Sequence, residues 1–303
     1  MKKIRAVRKI LSGTRTIEGA GVRLNRVFGH NHVPLFDPFL LLDDFHSSQP
    51  KDYLKGFPWH PHRGIETVTY VLEGEVDHGD SLGNKASTCN GEVQWTTAGS
   101  GIIHQEMPHG NHDNLLAGLQ LWVNLPATDK MCSPRYQGIT PRMIPVIHIA
   151  TESTVKIIAG AFDDLRGPVD NPFIDPVYFD VALSSGMEFV FPTPVEHTFF
   201  VYVLKGSGYF GLPSSDFSCY NGINALPDTT TGLLSVPEGN AALFTRGELL
   251  SFAAGSTPVR FLLIGGRPSG EPVAWYGPIV MNTEEELKTA FEEFQVGTFI
   301  KHG

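Results

Sequence analysis

The chain contains no run of about 18 apolar residues, so nothing in it reads as a transmembrane helix. It has little cysteine. Cys89, Cys132 and Cys219 form an odd, sparse set without CxxC spacing, which argues against a disulfide framework and fits a reducing compartment. Basic charge is in deficit: 23 Lys and Arg against 32 Asp and Glu leave a formal charge of −9. Direct nucleic-acid binding normally leaves a basic footprint, so that class is set aside, whereas a protein partner is not. The start, Met1-Lys2-Lys3-Ile4-Arg5, is basic but no apolar stretch of signal-peptide length follows. These absences lead us to expect a soluble cytoplasmic protein without a membrane role, with the nucleus open to it in a eukaryote.

Turn residues are plentiful, with 32 Gly and 22 Pro. The apolar segments between them are short, which reads as an all-β chain. At 303 residues the length suggests two domains, each with its own core. Internal repetition supports this: Tyr70-Val71-Leu72-Glu73-Gly74 matches Tyr202-Val203-Leu204-Lys205-Gly206. A repeat this long means two similar β-domains rather than a solenoid, whose periods are roughly 20–50 residues. A proline-rich junction around Pro134, Pro141 and Pro145 places the boundary near residue 140, giving domains 1–140 and 141–303. The end differs. Thr283-x-x-Glu286 is a capping box, and Leu287, Ala290, Phe291 and Phe294 recur at helical spacing before Gly297. An amphipathic helix over about 283–295 is expected to bury that face.

Two short motifs carry the chemistry. His60-Pro61-His62 and His104-Gln105-Glu106 each set two ligand-capable side chains two residues apart. On a strand such residues share a face, roughly 6.5–7 Å apart. Two such strands side by side aim three imidazoles and one carboxylate at one point. That set suits a first-row divalent ion, iron(II) in particular, and leaves positions open for water, substrate or O2. The carboxylate has a competitor: Glu66 shares parity with His60 and His62 but would need a bulge to reach, whereas Glu106 needs none. The second domain has no equivalent. The repeat aligns His60 with Pro192 and His62 with Pro194, and nine of the 12 histidines lie between His30 and His112. His30, His32, His46, His78, His109 and His112 lack paired spacing and are expected at the surface or in local hydrogen bonds, with His109 and His112 near enough in sequence to line the site's mouth. Trp95, Met107 and Phe57 are candidates for an apolar pocket wall, and Asp43-Asp44 reads as a turn or a surface pair.

These residues resemble the pirin family of the cupin superfamily. The matching stretches are His60-Pro61-His62-Arg63-Gly64-Ile65-Glu66-Thr67-Val68-Thr69-Tyr70, then Gln94-Trp95-Thr96-Thr97-Ala98-Gly99-Ser100-Gly101-Ile102-Ile103-His104-Gln105-Glu106-Met107-Pro108, with Leu119-Gln120-Leu121-Trp122-Val123-Asn124-Leu125-Pro126 and Gly265-Gly266-Arg267-Pro268 further on. The resemblance implies a bicupin: two tandem antiparallel jelly-roll β-barrels with iron in the first, and a monomer. It places the ligands on His60, His62, His104 and Glu106. It also implies two kinds of activity. Some members open the ring of the flavonol quercetin with O2 and release carbon monoxide; others are regulatory proteins that act through protein partners.

The expected function is a metal-dependent dioxygenase for a flavonol-like aromatic substrate. Fe(II) is the expected metal, with Ni, Cu, Mn, Co and Zn as alternatives, because affinity order alone does not favour iron. Glu106 serves there as ligand and as the base that takes the substrate proton. The alternative is a non-enzymatic, metal-responsive co-regulator. A metal-dependent isomerase or storage cupin is permitted by fold alone.

Overall fold

A computed structural model describes residues 2–211 and 235–302; Cys219 lies outside the described residues. The chain forms two compact antiparallel β units. No helix among the described residues is long and apolar enough to cross a membrane.

The unit that carries the two motifs is built from Thr14–Met143 and the chain from Ser269 on. Its larger sheet has seven strands, in the order Arg135–Ile139, Val93–Thr97, Ile65–Glu73, Leu116–Asn124, Phe39–Ser47, Val22–Phe28 and Thr14–Glu18. Its smaller sheet has four: Phe57–His62, Ile102–His109, Glu75–Asp80 and Lys85–Cys89. The central strand Ile65–Glu73 reads Ile-Glu-Thr-Val-Thr-Tyr-Val-Leu-Glu, rich in the β-branched and aromatic residues that suit a pleated surface. Val68 and Val71 in it are fully buried, and each such side chain contributes about 1.5–3 kcal/mol. The two sheets face each other across a core that joins Val76 of the smaller to Leu24, Phe45, Val71 and Leu116 of the larger. Asp43, read as surface or turn, is instead buried in a two-pronged ion pair with Arg26 at 2.7 and 2.8 Å.

The other unit comprises the residues up to Gly13 and Ile144–Pro268. Its sheet runs Val7–Leu11, Ala241–Phe244, Thr198–Phe210, Leu249–Gly266, Val177–Leu183, Ser153–Ala159 and Val146–Ala150, with Glu188–Pro192 and Ser235–Pro237 paired onto the two long strands. Register shifts at Val203/Lys205 and Gly206/Gly208 break the long pairing, as bulges do where a sheet bends over itself. The interior is filled by aromatic rings, among them Phe179, Phe191, Phe199, Phe210, Phe252 and Phe261. The repeat seen in sequence is structural: Ile65–Glu73 and the first half of Thr198–Phe210 are central strands of their units. Each segment ends on a glycine of positive φ, Gly74 at 85° and Gly206 at 78°.

A single cut near residue 140 does not describe these units, because the two ends of the chain are exchanged. Val7–Leu11 hydrogen-bonds to Ala241–Phe244, so the first strand completes the second sheet. The tail from Ser269 packs with the first unit. The C-terminal helix spans Glu284–Gln295 with the expected box: Thr283 Oγ1 accepts from Glu286 N, and Glu286 Oε2 accepts from Thr283 N. Leu287 and Ala290 are buried with Ala274, Ile279, Met281 and Phe299. Phe294, expected on the buried face, is 40% exposed and meets Phe299 edge-on. Helical periodicity announces that a face will be buried, but says nothing about which surface receives it.

Candidate metal centre

His60 and His62 lie on the edge strand Phe57–His62, and His104 on its neighbour Ile102–His109. The register sets His104 opposite His60 and Ile102 opposite His62. Directly opposed residues share a face, so all three imidazoles enter the space between the sheets. Their ligating nitrogens fall within 4.8 Å of one another, the one such cluster of three among the described residues. His60 Nε2 stands 3.1 Å from His62 Nε2 and 2.9 Å from His104 Nε2.

The tautomers follow from what surrounds each ring. His60 Nδ1 lies 2.8 Å from the Pro58 carbonyl and His62 Nδ1 lies 3.0 Å from the Pro278 carbonyl. A carbonyl only accepts, so both Nδ1 atoms carry the proton and both Nε2 atoms present lone pairs. Two lone pairs 3.1 Å apart repel unless a cation sits between them. Protonation is a poor solution, because burial first and the neighbouring His60 second push His62 down to about 3. Burial also holds His104 well below the ordinary histidine range, helped by His62, His60 and His78. A neutral, nitrogen-rich cluster with converging lone pairs fits a first-row divalent metal.

Glu106 is on the inward face of the same strand as His104, but its carboxylate is outside the triad. Oε1 accepts from Thr69 Oγ1 at 3.1 Å and Gln94 Nε2 at 3.2 Å, and Oε2 accepts from Gln120 Nε2 at 2.8 Å. Trp122 Nε1 in turn donates to Gln120 Oε1 at 2.9 Å. Thr69, Gln94 and Gln120 all come from the seven-stranded sheet, so Glu106 is oriented from across the barrel. It also borders a small, partly open pocket walled by Phe45, Phe57, Val76 and Leu116. Phe57 was expected there. Met107 is not, because it alternates with Glu106 to the outer face, and Trp95 alternates outward from Gln94 in the same way.

Glu66 is excluded from the centre by the same alternation. It pairs with Thr97, three residues from the inward-facing Gln94, and so faces away from the triad. Parity with His62 is lost at Arg63-Gly64, where the backbone turns through a φ of 77°. A Cβ at Gly64 would collide with the Val280 carbonyl, so only glycine fits. Glu66 takes a 2.7 Å bond from Thr97 Oγ1, and burial pushes its carboxyl upward. Arg63 binds Glu293, the Ser100 and Phe299 carbonyls, and the Phe299 ring. Gly99 and Gly101 turn the chain before His104, but their close approaches are to Cys132 and Phe299 rather than to the triad.

Several neighbours of the triad went unrecognised in sequence. Trp122 meets His62 edge-on at 5.0 Å and Trp275 at 5.8 Å, which forms an aromatic flank. His78, expected at the surface or in a local bond, does bond locally to Asp80, but both side chains are fully buried beside His104. The signal was available: His78-Gly79-Asp80 and Gln120-Leu121-Trp122 repeat the two-residue spacing of the ligand motifs. His109 and His112 are exposed, and each is bound to an aspartate, Asp77 and Asp113 respectively.

Known proteins share this architecture. The Pirin family model matches residues 21–123 and the Pirin C-terminal cupin domain matches residues 178–300. A pirin-like protein of Caulobacter vibrioides is 42% identical over 297 residues, 98% of this chain and 99% of its own. A crystal structure of a quercetin 2,3-dioxygenase from Acinetobacter baumannii superposes with a TM-score of 0.83 at 30% identity, covering 98% of each chain. A bacterial pirin from Escherichia coli, solved in complex with nickel(II), shares the fold with a TM-score of 0.61 at 22% identity, covering 88% of this chain and 100% of its own.

Proposed function

The chain belongs to the pirin family, and from that membership we propose that it is a metal-dependent dioxygenase that opens a flavonol such as quercetin with O2. The observation that carries the reading is the set of Nε2 lone pairs of His60 and His62, locked by the Pro58 and Pro278 carbonyls to converge beside His104. Likeness to a quercetin 2,3-dioxygenase supports the substrate class.

His60, His62 and His104 hold the ion in this proposal, with Glu106 as the fourth ligand. Fe(II) is the metal we favour; Ni, Cu, Mn, Co and Zn suit the same donors. The bound ion supplies a Lewis acid that makes a substrate hydroxyl acidic. Glu106 is the group we assign to take that proton. Its Oε2 has one amide donor, Gln120 Nε2, so one lone pair remains there, and the ion and the substrate hydroxyl would use it in turn rather than together. Gln94 and Thr69 steady Oε1 during the transfer. Trp122 and Trp275 offer flat apolar surface to an aromatic ring beside His62.

Oxygen uptake by Fe(II)-reconstituted protein given quercetin tests the reading, with the His60→Ala/His62→Ala protein as control. Uptake by the wild type that the double variant lacks is expected. Absence of uptake by protein verified to hold iron would remove the dioxygenase assignment.

A further inference from the structure

The triad accounts for two of its three outer nitrogens, since His60 and His62 each rest Nδ1 on a carbonyl. The third, His104 Nδ1, is buried without a hydrogen-bond partner among the described residues. A second orphan lies close by: His78 Nδ1 is likewise buried and unpartnered. The two rings stand edge to face with centroids 5.5 Å apart. Register explains the proximity. His104 is opposite Asp80 and Glu106 is opposite His78, so His78 and His104 are diagonal neighbours on the inward face.

The proton on His78 is fixed. Asp80 takes hydrogen bonds from Leu82 N, Asn84 N and Asn84 Nδ2, and its Oδ2 lies 2.9 Å from His78 Nε2. With that many donors the carboxylate acts as an acceptor, so His78 Nε2 carries the hydrogen and Nδ1 presents a lone pair. Tyr136, stacked on His78 at 4.8 Å, holds the ring in place. The proton on His104 depends on the centre. Without a cation, His104 Nε2–H donates to the His60 Nε2 lone pair at 2.9 Å, and Nδ1 is left as a buried lone pair. With a cation on Nε2, the same hydrogen must sit on Nδ1, where, buried, it needs an acceptor.

We propose that Asp80 and His78 are the outer partners of His104: His78 Nδ1 accepts the Nδ1–H that His104 acquires when it ligates a metal, directly or across one water. Neither orphan is then a defect. Both are satisfied in the loaded state alone, so His78 is a positioning residue whose hydrogen bond favours metal retention and raises the basicity of His104. The hydrogen moves from one nitrogen of His104 to the other through solvent, with no change in its count. This inference rests on the metal centre proposed above.

Zn(II), which is diamagnetic, serves as the probe. Long-range proton–nitrogen spectra of histidine-labelled wild-type protein report each ring's tautomer. We expect His104 to change from the Nε2–H to the Nδ1–H form on zinc addition while His78 remains Nε2–H in both states. His78 found as Nδ1–H in the zinc form overturns the proposal. Chelator competition provides the second readout. His78→Phe keeps the ring on Tyr136 but deletes the acceptor, and should weaken zinc binding about 10–100-fold, whereas His78→Asn, whose Oδ1 stands near the Nδ1 position, should recover much of the loss. Wild-type affinity in His78→Phe overturns the proposal and leaves the centre intact. Zinc binding by the wild type no tighter than by His60→Ala/His62→Ala overturns both.

Discussion

At the scale of single residues, the centre depends on small polar partners that fix where hydrogens lie. Pro58 and Pro278 act here through their carbonyls, which decide which nitrogen of His60 and His62 carries the hydrogen and which presents a lone pair. Glu106 is governed similarly by three donors that leave Oε2 the less encumbered oxygen. Glu106→Gln preserves the shape but sets a new amide among the amides of Gln94 and Gln120 and removes the proton acceptor. We expect turnover of quercetin to fall by about 10²–10⁴-fold, the usual range for loss of a general base, with a much smaller change in KM. Full turnover by the variant, measured as oxygen uptake at saturating substrate, would end the base assignment. Histidine motifs announce this chemistry in sequence; the carbonyls and amides that orient them come from segments up to 216 residues away and do not.

At the scale of elements, the ligand strand is anchored by the turn that follows it. Arg63 reaches from the end of Phe57–His62 to the C-terminal segment, with Nε on the Ser100 carbonyl at 2.7 Å, Nη1 on Glu293 at 2.7 Å and Nη2 on the Phe299 carbonyl at 2.8 Å. Lys130 adds a second clamp, its Nζ bound to the carbonyls of Gly64 and Val280 and to Asn124 Oδ1. Lysine cannot reproduce the planar fork of Arg63. Arg63→Lys leaves two buried carbonyls and a carboxylate short of donors, at a cost of about 2–4 kcal/mol. Urea unfolding checks this; a midpoint within error of the wild type would show that the helix is held by its apolar face alone. Because the strap ends beside His62, the variant should also bind metal more weakly.

At the scale of the whole molecule, two units from one repeat have diverged in what fills them. One interior is a set of phenylalanines; the other buries three histidines, Asp80 and Glu106. The polar interior has a consequence for stability. His62 is depressed from its ordinary value of 6.5 to about 3 by burial, and His104 is lowered too. Between those limits the unfolded chain binds more protons than the folded one, so stability is present above about pH 6.5 and falls as pH drops toward 3. His62 by itself accounts for about 2 kcal/mol of loss at pH 5. Metal-free protein should therefore show a lower urea midpoint at pH 5 than at pH 7.5, and His62→Gln should flatten that slope. An equal slope in the variant would assign the acid sensitivity elsewhere.

The sequence by itself determined the fold class, the internal repeat, the capped helix and the two histidine motifs that come together in the triad. Each of these is local: period-two patterning, a glycine-closed strand, a capping box, two ligands two residues apart on one strand. Tertiary structure decided what joins across the chain. It exchanged the ends between the units, because an edge strand and an amphipathic helix state a need for partners without naming them. It moved Glu66 outward, because one glycine turn resets strand parity, and it drew Asp80 and His78 inward beside His104, because register between strands is a property of the sheet. The carbonyl locks on His60 and His62 belong to the same class, since a proline oxygen becomes informative only when folding brings a ring against it.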